Sequence, residues 1–171
     1  MRLKFAILGL FVGAASPAFA GDYETWLARK PGSVACYART YDAGHLAAHP
    51  RQKVRAIAFD FEARRADAEG NTPLRFLVGL GVRLKNKPDW YANAAYCGET
   101  PQGGFDCFLE GDGGRFRLVT TGPVLKMVLA GEINIEGDDF VSFGGKGSDD
   151  NVFLLPEASK SVCDAAIAPL R

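Results

Sequence analysis

"FLVGLGVRLK", residues 76–85, decides the fold. Phe76, Val78, Leu80, Val82 and Leu84 alternate with Leu77, Gly79, Gly81, Arg83 and Lys85. A period of two puts the first set on one face of a strand. Gly79 and Gly81, on the opposite face, imply a bend or a close backbone approach, as at a barrel corner. Upstream, "KVRAIAFDFE" (53–62) repeats the pattern, with Ile57, Phe59 and Phe61 on one face and Ala56, Ala58 and Asp60 on the other. That is a second strand with one bulky buried side.

Working outward, "NKPD" (86–89) reads as a turn and "WYANAAYC" (90–97) as the next strand. "FDCFLE" (105–110), "RFRLVTTG" (115–122), "VLKMVLAG" (124–131), "EINIEG" (132–137), "DFVSFG" (139–144) and "VFLLP" (152–156) follow, separated by Gly, Pro and Asp. Short strands at this spacing predict an all-β chain: a single antiparallel β-barrel or sandwich of about eight to ten strands. Helix is expected only at the edges, in "DYETWLARK" (22–30) and in the short Ala-rich stretch after Cys163. "EARRADAEGNTP" (62–73) reads as an exposed hairpin connection.

The start of the chain carries an address. Arg2 and Lys4 precede an apolar run, Phe5 to Ala15, too short for a membrane span, and "SPAFA" (16–20) ends in the small-x-small pattern of a cleavage site. Residues 1–20 are therefore expected to be a cleaved signal peptide, with cleavage after Ala20, and residues 21–171 a single β domain, periplasmic or secreted. Gly21 in place of Cys rules out a lipid at the first mature residue, so no membrane anchor is expected in the mature form. Loss of Arg2 and Lys4 reduces 20 basic residues to 18 against 20 acidic, a balance that argues against nucleic acid as a partner. About 150 mature residues, nearly half of them apolar, suffice for one core.

Four cysteines in an exported chain of this size read as two disulfides. Of the three possible pairings, the turn-rich loop "GETPQGGFD" favours Cys97 with Cys107, which leaves Cys36 for Cys163. No C-x-x-C pair indicates zinc.

Candidate chemistry is sparse. "GHLAAHP" (44–50) holds both histidines, His45 and His49, at the spacing that shares one helix face. They are candidate metal ligands, yet Pro50 disfavours helix at His49, and Leu46 stands where a zinc protease has its Glu. The plainer expectation is a turn capped by Asp42 with Leu46 tucked inwards. "GGKGSDDN" (144–151) lacks the Ser or Thr that a phosphate loop needs after its Lys, since Gly147 follows Lys146. Asp138-Asp139 and Asp149-Asp150 lack the alternation of a calcium loop and read as turns with solvated carboxylates. No G-x-S-x-G elbow presents a serine, so no catalytic residues are assigned and no cofactor is expected.

The stretch "LAGEINIEGDDFVSFGGKGSDDNVFLL" (129–155), extended to Cys163, resembles the end of the membrane-bound and periplasmic inhibitors of C-type lysozyme. Gly131, Phe140, Phe143, Lys146, Gly147, Asp149, Asp150, Val152 and Cys163 follow that family's order of aromatic strand, Lys-Gly turn, acidic residues, closing strand and final cysteine. Ala130 replaces the family's serine, Asn134 or Ile135 its tyrosine, and Phe143 its tryptophan. The resemblance implies a small barrel whose loop lysine pairs with carboxylates in an enzyme cleft. Lys146, Gly147, Ser148, Asp149 and Asp150 would then meet the partner.

The leading expectation is thus an exported, non-catalytic binding module for a protein partner. A small-molecule carrier comes second, with Phe59, Phe61, Phe76 and Trp90 either filling or lining the interior. A hydrolase using His45 or His49 comes third.

Overall fold

The computed structural model describes residues 35–65, 75–121, 123–135 and 140–171. The signal peptide, the helix expected at 22–30, most of the 62–73 connection and Asp138-Asp139 lie outside the described residues.

Among the described residues ten strands form: β1 (Ala35–Thr40), β2 (Val54–Arg65), β3 (Arg75–Leu84), β4 (Tyr91–Glu99), β5 (Phe105–Leu109), β6 (Arg115–Thr121), β7 (Val124–Leu129), β8 (Glu132–Ile135), β9 (Val141–Gly144) and β10 (Val152–Pro156). Two short helices, α1 (Ala43–Ala48) and α2 (Lys160–Ala166), accompany them, and a 3-10 turn, Ala168–Leu170, follows. β1 to β7 run as an antiparallel meander, and β10 pairs with β7, giving one eight-stranded sheet. The sheet curls until its edges meet. Tyr37 bridges Glu157, the Ala158 amide donates to the Cys36 carbonyl at 2.8 Å, and Arg39 Nη1 donates to the Leu154 carbonyl at 3.3 Å. The result is a nearly closed antiparallel barrel.

Side-chain alternation explains the inside. Ile57, Phe59, Phe76, Val78, Leu80, Val82, Phe105, Phe116, Leu118, Leu125, Met127, Phe153 and Leu155 are all buried. Phe59 of β2 and Phe116 of β6 belong to strands far apart in the sheet, yet their ring centroids lie 5.6 Å apart. The lumen at that level is filled by side chains, as in the smallest barrels. β8 and β9 form a separate hairpin whose Ile133, Ile135, Val141 and Phe143 join the same core. By connectivity this hairpin lies at the barrel end that also carries α1 and the turns after β3 and β5.

The two glycines of the decisive strand mark a close backbone approach, made by a helix end rather than at a barrel corner. A Cβ at Gly81 would stand 2.5 Å from the Ala166 carbonyl oxygen, and one at Gly79 would stand 2.8 Å from Ile167 Cγ2. The end of α2 lies directly on the outer face of β3, and only a strand without side chains there admits it. The same contact corrects the reading of β2, because Ala58 and Asp60 on its outer face are also buried. α2 starts at Lys160, ahead of Cys163, so the cysteine sits within the helix rather than before it. Trp90 also moves: it packs outside, against the small cluster of Cys36, Ala58, Cys163 and Ala166, with the Arg83 guanidinium 5.0 Å from its ring.

Both disulfides pair as expected. Cys97 and Cys107 face each other across β4 and β5 with Cα atoms 4.1 Å apart. Cys36 of β1 joins Cys163 of α2 across 127 positions. The chain-entropy model gives such a long loop about 4 to 5 kcal/mol, less any strain.

Gly81→Ala tests the seat of α2. Its methyl group meets backbone, so urea unfolding should show a loss of about 1 to 3 kcal/mol. Gly79→Ala, which meets the Ile167 side chain rather than backbone, should lose less.

Candidate functional site

The Lys146 turn is built from three glycines in the left-handed region, Gly144, Gly145 and Gly147, with φ of 83°, 82° and 79°. At Gly144 a side chain is also excluded by space, because a Cβ would lie 2.4 Å from Leu129 Cδ1. The Ser148 amide closes the turn on the Gly145 carbonyl at 3.2 Å. Asn151 holds it from beneath: its Oδ1 accepts from the Gly145 amide at 2.9 Å, and its Nδ2 donates to the carbonyls of Gly145 (3.1 Å) and Ser148 (2.9 Å). Lys146 and Gly147 are left exposed at the apex, with Ser148 half-buried.

Asp149 and Asp150 do not behave as solvated turn residues. Asp149 accepts from the Arg51 amide at 3.1 Å and from its guanidinium at 2.9 Å. Asp150 is 0% exposed and accepts from the amides of Lys53 at 2.5 Å and Val54 at 3.3 Å. Two adjacent carboxylates thus tie the loop to the chain entering β2. Burial pushes the Asp150 carboxyl above the usual aspartate range, against the opposing pull of the two amides and of Lys53 and Lys85. Both lysines are themselves anchored, Lys53 Nζ on the Ser142 carbonyl and Lys85 Nζ on that of Pro50, each at 3.2 Å. Of the five residues expected to meet a partner, Asp150 is therefore withdrawn from the surface, and Lys146 and Gly147 are the most accessible.

The histidine segment is more helical than Pro50 implied. Asp42 caps α1 as expected, accepting from the His45 amide at 2.7 Å. Pro50 acts only on His49, which leaves the helix with φ −122° and ψ 74°. The rings stack all the same. His49 lies 4.2 Å from His45, His45 lies 4.5 Å from Tyr41, and the Arg39 guanidinium covers the Tyr41 ring at 5.0 Å. Gln52 Nε2 donates to the Val54 carbonyl, so Gln52 Oε1 is an acceptor and His45 Nε2, 3.0 Å away, carries the proton. His49 Nδ1 donates to the His45 carbonyl at 2.9 Å. These contacts are with an amide and a carbonyl, not with a serine or a carboxylate. Among the described residues no group of three potential ligands joins the pair to form a metal centre.

Two further depressions lie on the outer wall. One, of about 790 Å³, runs between the β5–β6 turn and the β7–β8 junction and is lined by Phe108, Glu110, Asp112, Arg115 and Glu132. The other, about 350 Å³, adjoins it beside Arg115, Arg117 and Val128. Tyr96 and Phe108 stack at their edge, with the Arg115 guanidinium over Phe108, so that ring is already engaged within the protein. No protein-family model, curated protein or solved structure matches this chain.

The pH dependence follows from two aspartates with opposite shifts. The pKa of Asp150 is raised on folding, so its contribution to stability is smallest at neutral pH and grows as pH falls through the raised value. The Lys160 hydrogen bond, with help from Arg171, lowers that of Asp164, so its contribution is full near neutrality and is lost as pH falls through the lowered value. In urea titrations the stability of the wild type relative to Asp150→Asn should be greater at about pH 4 than at neutral pH, whereas relative to Asp164→Asn it should shrink below about pH 4.

Proposed function

We propose that this chain is an exported, non-catalytic β-barrel module that binds a protein partner through the Lys146 turn, and that the partner is a C-type lysozyme whose activity it inhibits. The observation that carries this reading is the turn itself. Its exposed lysine stands on a backbone held by glycine geometry, the Asn151 side chain and two carboxylate ties to the start of β2. A rigid donor of this kind loses little entropy on binding, and a lysine entering a desolvated carboxylate cleft makes a charge-assisted contact. Arg51 and Lys53 lie beside the loop through its ties to Asp149 and Asp150, so the loop carboxylates are engaged within the protein and Lys146 is left as the exposed charge at the apex.

Export is part of the same proposal. The apolar run from Phe5 to Ala15 and the "SPAFA" site supply a signal peptide, and two disulfides suit an oxidising periplasm or the exterior. The carrier reading loses support because Phe59 and Phe116 meet across the lumen. The hydrolase reading loses support because the described ring contacts of His45 and His49 serve the fold.

Purified residues 21–171 should block cell-wall lysis by a C-type lysozyme at micromolar concentration. Lys146→Ala should weaken the block by about tenfold or more, as expected of a central interface anchor. Absence of inhibition by the wild-type protein would remove this partner.

A further inference from the structure

We infer that Asn151 is the positioning residue of the Lys146 turn: its carboxamide, without touching a partner, sets the geometry in which the lysine is offered. The inference rests on the proposed binding role of that turn and adds the element that controls it.

Gly145 presents both its amide and its carbonyl to the same Asn151 side chain, and Ser148 presents a second carbonyl. Only one arrangement satisfies one donor and two acceptors: Oδ1 towards the Gly145 amide and Nδ2 towards the two carbonyls. The carboxamide therefore mimics a paired strand across the mouth of the loop, and Lys146 and Gly147 are confined to the residues it spans. The asparagine is itself fixed, because the Leu129 amide donates to its carbonyl at 2.9 Å, just ahead of β10. The orientation of the loop at Lys146 is thus referred to the barrel wall through Asn151, alongside the ties of Asp149 and Asp150 to the chain entering β2.

Aspartate is the informative replacement. The Asn151→Asp variant keeps the size of the side chain and an acceptor for the Gly145 amide, but it turns a carboxylate oxygen towards two carbonyl oxygens and offers them no proton. A purely space-filling role would tolerate this change, whereas a positioning role would not. Asn151→Ala removes all three hydrogen bonds without adding a charge, and serves as the second variant.

Two measurements decide the matter. The first is nitrogen-15 relaxation of the Lys146 and Gly147 amides in the free mature protein, which needs no partner. In the wild type the order parameters should be close to those of the barrel strands, near about 0.85. In Asn151→Asp and Asn151→Ala they should fall below about 0.6 while the strands remain unchanged. The second is dissociation from a C-type lysozyme. Loss of two or three hydrogen bonds around the turn should raise the dissociation rate by about tenfold, with a smaller change in association. A mobile Lys146 amide in the wild type overturns the inference, as does a loop that stays ordered in Asn151→Asp, or a loosened loop with an unchanged dissociation rate. Failure of the wild type to bind lysozyme would count against the proposed partner alone, since the relaxation data judge the positioning role separately.

Discussion

Closing an eight-stranded sheet leaves two edge strands to find each other, and everything else in this molecule is arranged around that junction. Among the described residues β1 meets the chain at and after β10 through a bridge between Tyr37 and Glu157, a hydrogen bond from the Ala158 amide to the Cys36 carbonyl, and the Arg39 guanidinium reaching the Leu154 carbonyl. An open edge of this kind exposes unpaired amides and carbonyls and invites pairing with other chains. Here it is secured from both ends. At one end, Cys36 is bonded to α2, which lies across the outer face of β2 and β3. At the other, the stack of Arg39, Tyr41, His45 and His49 continues β1 into α1 and packs Tyr41 near Phe153 of β10.

This junction also organises the candidate site. The chain leaves β1, turns through α1, and enters β2 at the point where Asp149 and Asp150 accept its amides. The loop before β10 is thereby tied to the strand that follows β1. A buried carboxylate normally carries a desolvation penalty, and at Asp150 the penalty is partly offset by two amide donors and by nearby Lys53 and Lys85. The position of Lys146 is therefore a property of the closed barrel rather than of the loop alone.

Much of the barrel is legible in the sequence because alternation is a local signal, repeated in nearly every strand. The cap at Asp42 and the pairing of Cys97 with Cys107 are local too, and both are found where the sequence puts them. What is not legible depends on contacts between distant segments. Gly79 and Gly81 announce a close approach without naming the approaching element, because α2 comes near the other end of the chain. Asp150 reads as a turn residue because its partners are the backbone amides of Lys53 and Val54, groups that every residue type except proline possesses. Asn151 is hidden although its partners, Gly145 and Ser148, lie in the same loop, because they too are backbone groups. Trp90 reads as interior from its size, but the outer groove beside α2 offers it a packing surface of its own.

The bridge from Cys36 to Cys163 also has a mechanical consequence. Force applied between Ala35 and Arg171 passes through the sulfur–sulfur bond and loads only the short segments outside it. The barrel strands lie within the loop that the bridge closes across 127 positions, and carry no tension along that line. Pulled in this direction the protein behaves as a short inextensible link with a folded body hanging from it. Only after reduction of the bridge would the β1–β10 junction bear the load.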